Sequence, residues 1–305
     1  MTPLHILGAG ALGCLFAHRA TRAGYEVFLL TRDPEHQRIV TLETDQGEII
    51  QRYPTQCVED ANTITNLLIT TKSYDVIGAA ESVINNLSSS SQVAVLSNGM
   101  GYHDSLNTLI PSHNLIAGTT TAGCTLLDSS SISGELNQRY KQSGEGMTFF
   151  GHWAQHGKSM PDWLRPLLES FEQCSWSEDI QPLLMQKLVI NAAINPCTAL
   201  NDIPNGALAD EPWRELVQQA VEEIDQILAG THQGILMHPV SDLVDQVITD
   251  TAGNTSSMLA DVRAGRETEH EAILGFLLEQ QVHKDVAAPL LTSWLEALRD
   301  RASKL

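Results

Sequence analysis

Positive charge is scarce in this 305-residue chain: 18 Lys and Arg stand against 37 Asp and Glu, a formal net charge of −19 at pH 7. Phosphate backbones are bound by clustered Lys and Arg, so this balance excludes a nucleic-acid partner. It also sets a condition, since any anionic ligand must be held by a few local donors against an unfavourable overall field. Cysteine is scarce as well. The five residues Cys14, Cys57, Cys124, Cys174 and Cys197 are odd in number, widely spaced and without a CxxC pair. That excludes a disulfide framework or a zinc site and predicts reduced thiols in the cytosol. The eleven histidines form no HExxH or comparable ligand spacing, so no catalytic metal is expected. No apolar run approaches the ~20 residues that cross a bilayer. Met1 to Leu7 run straight into a glycine motif, without the charged region, apolar stretch and cleavage site of a signal peptide. The expectation is a cytoplasmic protein with no membrane partner.

The apolar fraction of 42% is ordinary for a globular chain, and the length exceeds one usual domain, so two domains are expected. The first half alternates short apolar strands with amphipathic helices. Leu4 to Leu7, Glu26 to Leu30, Asn66 to Thr70, Gln92 to Leu96 and Asn114 to Ala117 read as strands. Leu12, Leu15, Phe16 and Ala20 recur at helical spacing, with Gly24 placed to end that helix. Such alternation predicts a parallel sheet covered on both faces, the doubly wound α/β fold. Residues 123–150 look like extra strands closing the sheet's edge, followed by a helix over Pro161 to Gln173. From residue 179 the pattern is helical: Leu183–Leu200, Trp213–Gly230, Pro239–Thr251, Ser256–Ala264, Glu269–Val282 and Val286–Leu298. The chain is therefore read as an N-terminal doubly wound domain, 1–178, and an all-helical C-terminal domain, 179–305.

Gly8-Ala9-Gly10-Ala11-Leu12-Gly13 is a GxGxxG sequence between a strand and a helix. Its glycines permit a tight turn, close approach to a pyrophosphate and close helix–strand contact, while the helix N-terminus supplies aligned N–H donors. The alone-standing motif also fits a plain glycine-rich turn; its setting favours a dinucleotide. NAD binders place a carboxylate at the end of the second strand. Here that strand ends in Thr31-Arg32, and Lys72 follows the strand ending at Thr70. Two cations at strand carboxyl ends suit a 2′-phosphate and lean the choice to NADP. Asp33 can either orient Arg32 or compete for ribose.

Ser97-Asn98-Gly99-Met100-Gly101 follows another strand, where Asn98 fits a cofactor or substrate contact as well as an unliganded Asn-Gly turn. In Gln186 to Pro196, Lys187, Asn191 and Asn195 recur at i, i+4, i+8 among nearly continuous apolar residues. A polar stripe on a buried helix needs protein partners or a ligand. A lysine desolvated there would have its pKa lowered toward a value useful for proton transfer. The other reading is a lysine reaching solvent and two asparagines bonding a neighbouring helix. Asn254-Thr255-Ser256-Ser257 and Thr268-Glu269 carry a similar ambiguity, between helix caps and cleft-facing groups.

Taken together, GAGALG, SNGMG, KLVINAAINPCTAL, IPNG at 203–206 and NTSSMLADVRAGRETE resemble ketopantoate reductases, in order and over nearly the whole chain. The resemblance implies a Rossmann domain joined to a helical domain, with NADPH (as NADPH/NADP+) the cofactor and 2-dehydropantoate, a small 2-keto acid, the substrate. The product would be pantoate, for pantothenate and coenzyme A. The family's catalytic lysine falls on Lys187 and its partner glutamate on Glu269. The substrate-binding positions fall on Asn191, Asn195, Asn205, Asn254 and Ser257. The cofactor positions fall on Gly8, Gly10, Ala11, Leu12, Gly13, Arg32, Lys72 and Asn98. Cys197 departs from the bulkier aliphatic common there, and residues 123–150 carry little signature. The family type also includes paralogues acting on other keto acids, and a catalytically silent NADPH sensor is the rival of a different class. A monomer or a homodimer is compatible with the resemblance.

Overall fold

A computed structural model describes residues 3–32, 37–58, 63–111, 114–132, 135–154, 158–231, 234–280 and 287–304. These fall into two compact units. One holds the described residues up to Ser97 together with Tyr102–Ile180; the other holds Asn98–Gly101 and the described residues from Gln181 onward. Asp33 lies outside the described residues.

In the first unit the chain order is β1 (Leu4–Leu7), α1 (Ala11–Arg22), β2 (Val27–Thr31), β3 (Gln37–Thr44), β4 (Gly47–Cys57), β5 (Asn66–Ile69), α2 (Val76–Val83), β6 (Gln92–Leu96) and α3 (His103–Leu109). Then come β7 (Leu115–Thr120), β8 (Gly123–Ile132), β9 (Glu135–Gly144), β10 (Thr148–His152), α4 (Arg165–Ser170) and β11 (Cys174–Trp176). The strands form one sheet ordered β11-β10-β7-β6-β5-β1-β2-β4-β3-β9-β8. Its centre, β4-β2-β1-β5-β6-β7, is parallel throughout. Numbered along the chain, those six strands run 3-2-1-4-5-6, the doubly wound order. The order reverses between β1 and β5, and ligands bind at the carboxyl ends of the strands at such a switch point. Every residue of β1, β5 and β7 is buried, as strands covered on both faces require. Helix α1 ends where expected: Gly24 takes φ +89°, and the N–H groups of Ala23, Gly24 and Tyr25 reach back to Arg19, Thr21 and Ala20.

Several sequence expectations need correction. The hairpin β3–β4 was not foreseen; it turns at Asp45-Gln46 and pairs Thr44 with Gly47. The extra strands of 123–150 extend both sides of the sheet, β9 pairing with β3 and β10 with β7. The helix expected over 161–173 shrinks to α4 because Phe171 is extended and the chain re-enters the sheet as β11.

The second unit contains α5 (Gln181–Asn201), α6 (Trp213–Thr231), α7 (Val240–Asp250), α8 (Ser257–Arg263), α9 (Phe276–Glu279) and α10 (Pro289–Ala302). Helices α6, α7, α8 and α10 all pack on α5, whose Leu188, Val189, Ala192, Ala193 and Cys197 are at most 1% exposed. The single helix expected over 269–282 is instead a π-helical turn, Glu271–Gly275, running into α9; Val282 lies outside the described residues, as does Val286. Thr268 does not cap that segment, since its hydroxyl bonds His270 Nδ1 at 2.9 Å. Ser256 does cap α8, accepting from Leu259 N at 3.1 Å.

Candidate active site

The glycine loop lies at the switch point of the first unit. A Cβ on Gly8, whose φ is +105°, would stand 2.6 Å from Thr71 N; one on Gly13 would stand 2.1 Å from Gly8 O. These two glycines let strand, loop and helix touch. Thr70, ending the run after β5, fixes the same place from the other side, donating from Oγ1 to Gly8 O at 2.7 Å. Gly10 differs: among the described residues a Cβ there would meet nothing within 4 Å. Gly10 is the N-cap of α1 and has no side chain to close the first turn, Ala11-Leu12. Open space before uncapped N–H donors fits the pyrophosphate of a dinucleotide.

Arg32 and Lys72 follow β2 and β5, the strands flanking β1. The Arg32 side chain is 86% exposed and lies 3.9 Å from Asp75, a loose surface pair that leaves its fork available. Lys72 is half-buried.

In the second unit, Lys187 and Glu269 are joined through Asn98. Lys187 Nζ donates to Asn98 Oδ1 at 2.8 Å, and Asn98 Nδ2 donates to Glu269 Oε2 at 2.8 Å. Burial pushes the Lys187 pKa down to about 8, opposed by the attraction of Glu269. Glu269 is itself 5% exposed. The geometry thus ties Asn98, expected at the cofactor, to the two residues expected to be catalytic. Its placement follows from the loop. Met100 N donates to Ala272 O at 2.8 Å, and a Cβ on Gly99, at φ +76°, would stand 2.4 Å from that same oxygen. Ala272 lies in the π-helical turn, where the widened backbone leaves a carbonyl for this contact. Sequence reasoning missed this docking, because a π-turn has no spacing of its own to read.

Asn191 and Asn195 continue the Lys187 face of α5, half-buried and 6% exposed. Asn205, 7% exposed, donates from its backbone to Asn254 O at 3.0 Å and from Nδ2 to Thr251 Oγ1 at 2.9 Å. Its Oδ1 is buried without a hydrogen-bond partner among the described residues. The side chains of Asn254 and Ser257 are exposed, whereas the neighbouring Ser256 is consumed by capping and by a 2.7 Å bond with Thr198.

A doubly wound sheet with an open glycine loop at its switch point defines a dinucleotide-binding class. The comparisons narrow this. A family model described as ketopantoate reductase PanE/ApbA matches residues 4–155, and its C-terminal counterpart matches residues 179–302. The 2-dehydropantoate 2-reductase of Shigella flexneri is 31% identical over 301 residues, covering 98% of this chain and 95% of that protein. That of Vibrio cholerae is 27% identical, with 96% of each chain covered. Among solved structures, a D-mandelate dehydrogenase with NADH and anilino(oxo)acetate superposes at a TM-score of 0.83 and 20% identity. A Ralstonia eutropha ketopantoate reductase superposes at 0.82 and 20%; each pair covers 99% of both chains. The two structures speak for the fold. The chain belongs to the ketopantoate reductase family.

Proposed function

We propose that this protein reduces 2-dehydropantoate to pantoate with NADPH, serving pantothenate and coenzyme A synthesis in the cytoplasm. The observation that carries the reading is the hydrogen-bonded line Lys187–Asn98–Glu269, with a lysine whose pKa lies at about 8. The relatives named 2-dehydropantoate 2-reductase, near full length on both sides, supply the substrate. On this reading residues 1–178 form the dinucleotide domain and residues 179–305 the substrate and catalytic domain.

Gly8, Gly10, Ala11, Leu12 and Gly13 would hold the pyrophosphate, with Arg32 and Lys72 taking the 2′-phosphate. When bound, the dinucleotide supplies hydride to the C2 ketone of the substrate. Lys187, protonated below about pH 8, stabilises the negative charge that develops on the C2 oxygen and then gives that oxygen its proton. Asn98 aims the ammonium, and Glu269 stabilises the protonated form of the lysine until the proton leaves. Asn191, Asn195, Asn254 and Ser257 offer uncharged donors for the carboxylate, where hydrogen bonds to a charged acceptor are strong. Asn205 Oδ1, buried and without a partner, suits the substrate hydroxyl.

The test is oxidation of NADPH followed by its absorbance, with 2-dehydropantoate and a panel of other 2-keto acids, repeated with NADH. Turnover confined to 2-dehydropantoate with a preference for NADPH is expected. Turnover with a different keto acid would retain Lys187 and discard the pantothenate role. Tight NADPH binding with no turnover on any acid would turn the reading to a sensor. Arg32→Ser should cut the preference for NADPH over NADH by about tenfold, the weight of one good charge-assisted contact; an unchanged ratio would remove Arg32 from the 2′-phosphate site.

A further inference from the structure

Strand β3 alternates in burial. Arg38, Val40 and Leu42 are buried, Gln37 is exposed, and Ile39 and Thr41 are half-buried. An arginine in register with core aliphatics is costly unless its donors are used. Arg38 is 8% exposed, and its Nη1 donates to the carbonyl oxygen of Ala9 at 2.8 Å. The Cys14 thiol, on α1, donates to the same oxygen at 3.5 Å. Ala9 is the first variable position of the glycine loop, and its carbonyl belongs to the peptide plane leading into Gly10. A Cβ on Gly10 would meet none of the described residues within 4 Å, so sterics do not hold that plane; it is held by its hydrogen bonds, the N–H donating to Gly8 O at 2.8 Å and the carbonyl accepting from Arg38 and Cys14. Turned over, the plane would present a carbonyl lone pair to the side from which an anion approaches the N–H groups of α1. Strand β3, which carries Arg38, is inserted in the chain between the parallel strands β2 and β4, so the contact links an inserted element to the loop.

We propose that Arg38 is a positioning residue for the phosphate cradle. It holds the Ala9 carbonyl into the unit's interior and keeps the N–H face of the loop turned toward a pyrophosphate. This rests on the dinucleotide reading above. It assigns Arg38 to the part shared by NADPH and NADH, whereas Arg32 reads the part that distinguishes them.

The test titrates full-length wild type, Arg38→Met and Arg38→Lys with NADPH and with NADH, following the fluorescence of the bound nicotinamide, alongside thermal unfolding. In Arg38→Met the Kd for both dinucleotides is expected to rise by a common factor of about tenfold. The kcat at saturating NADPH should stay within about twofold, because the chemistry is untouched. Arg38→Lys keeps the charge and loses the fork, and should recover part of the affinity. Unchanged Kd values in folded Arg38→Met would overturn the proposal, as would a loss confined to NADPH, which would make Arg38 a second reader of the 2′-phosphate. If Arg38→Met does not fold, Arg38→Lys decides: a common rise for both dinucleotides supports the role, and wild-type affinity for both refutes it. A wild type that binds neither dinucleotide would instead fail the cofactor reading itself.

Discussion

The glycine loop and the Lys187 line are built by opposite strategies. The loop is contiguous: Gly8 to Gly13 and one threonine, Thr70, make a surface of backbone donors with no formal charge. The Lys187 line joins side chains 89 and 171 residues apart in sequence and places an ammonium and a carboxylate out of water. Backbone dipoles need no titration and work in a chain of net charge −19. Proton transfer needs a group whose charge changes, and desolvation is what lowers the Lys187 pKa to about 8. On the proposed reading, binding falls to the local motif and chemistry to the long-range one.

The largest effect should come from breaking the second region alone. Lys187→Ala is expected to lower kcat by roughly 10³-fold, the range of a positioned proton donor, while the Kd for NADPH stays nearly constant. Loss of dinucleotide binding in this variant would mean the two regions are not separate in function.

Within the loop, two glycines should separate stability from binding. Gly13→Ala puts a Cβ 2.1 Å from Gly8 O and 2.8 Å from Thr70 Oγ1, an overpacking expected to cost about 3 kcal/mol in the free protein. Gly10→Ala meets no atom of the described residues within 4 Å, so its melting temperature should stay near the wild type's while dinucleotide affinity falls. Equal destabilisation by both would deny the open cradle.

The charge logic of the second region predicts a pH dependence. If Lys187 is the donor proposed above, it must carry its proton, so the rate of ketone reduction should be full below about pH 8 and decline above it. Glu269 raises the lysine pKa, so Glu269→Gln should move that midpoint to lower pH. A midpoint unmoved in Glu269→Gln would show that the titrating group is not Lys187.

How much of this was legible beforehand follows the same division. Strand β1, α1 and the glycine motif are specified by neighbours within a few residues, and their bounds were readable to within one or two. The face Lys187-Asn191-Asn195 was readable because α5 keeps one period along its length. The hairpin β3–β4 was not: β3 pairs locally with β4 but also, far along the chain, with β9, Arg38 opposite Leu136. The role of Asn98 was half-legible. Its Asn-Gly turn was evident, but what it serves depends on a π-turn whose backbone departs from the helical period. Asn205 and Asn254 were named separately, and only the fold shows them joined by a backbone bond.

The smallest expected effect is also the most discriminating, because it sets two adjacent serines against each other. Ser256 Oγ accepts from Leu259 N and bonds Thr198 within the core; Ser257 is an exposed residue. Ser256→Ala should therefore lower stability by about 1 kcal/mol, the usual cost of a lost N-cap, with the KM for 2-dehydropantoate retained. Ser257→Ala should leave the melting temperature in place and raise that KM severalfold, as expected for one lost hydrogen bond to a carboxylate. Chemical denaturation and steady-state kinetics on the pair would read both quantities. If the two variants exchanged these behaviours, α8 would be held by the exposed serine and the substrate by the buried one. The division between scaffold and site would then have to be redrawn at the one turn where they touch in sequence.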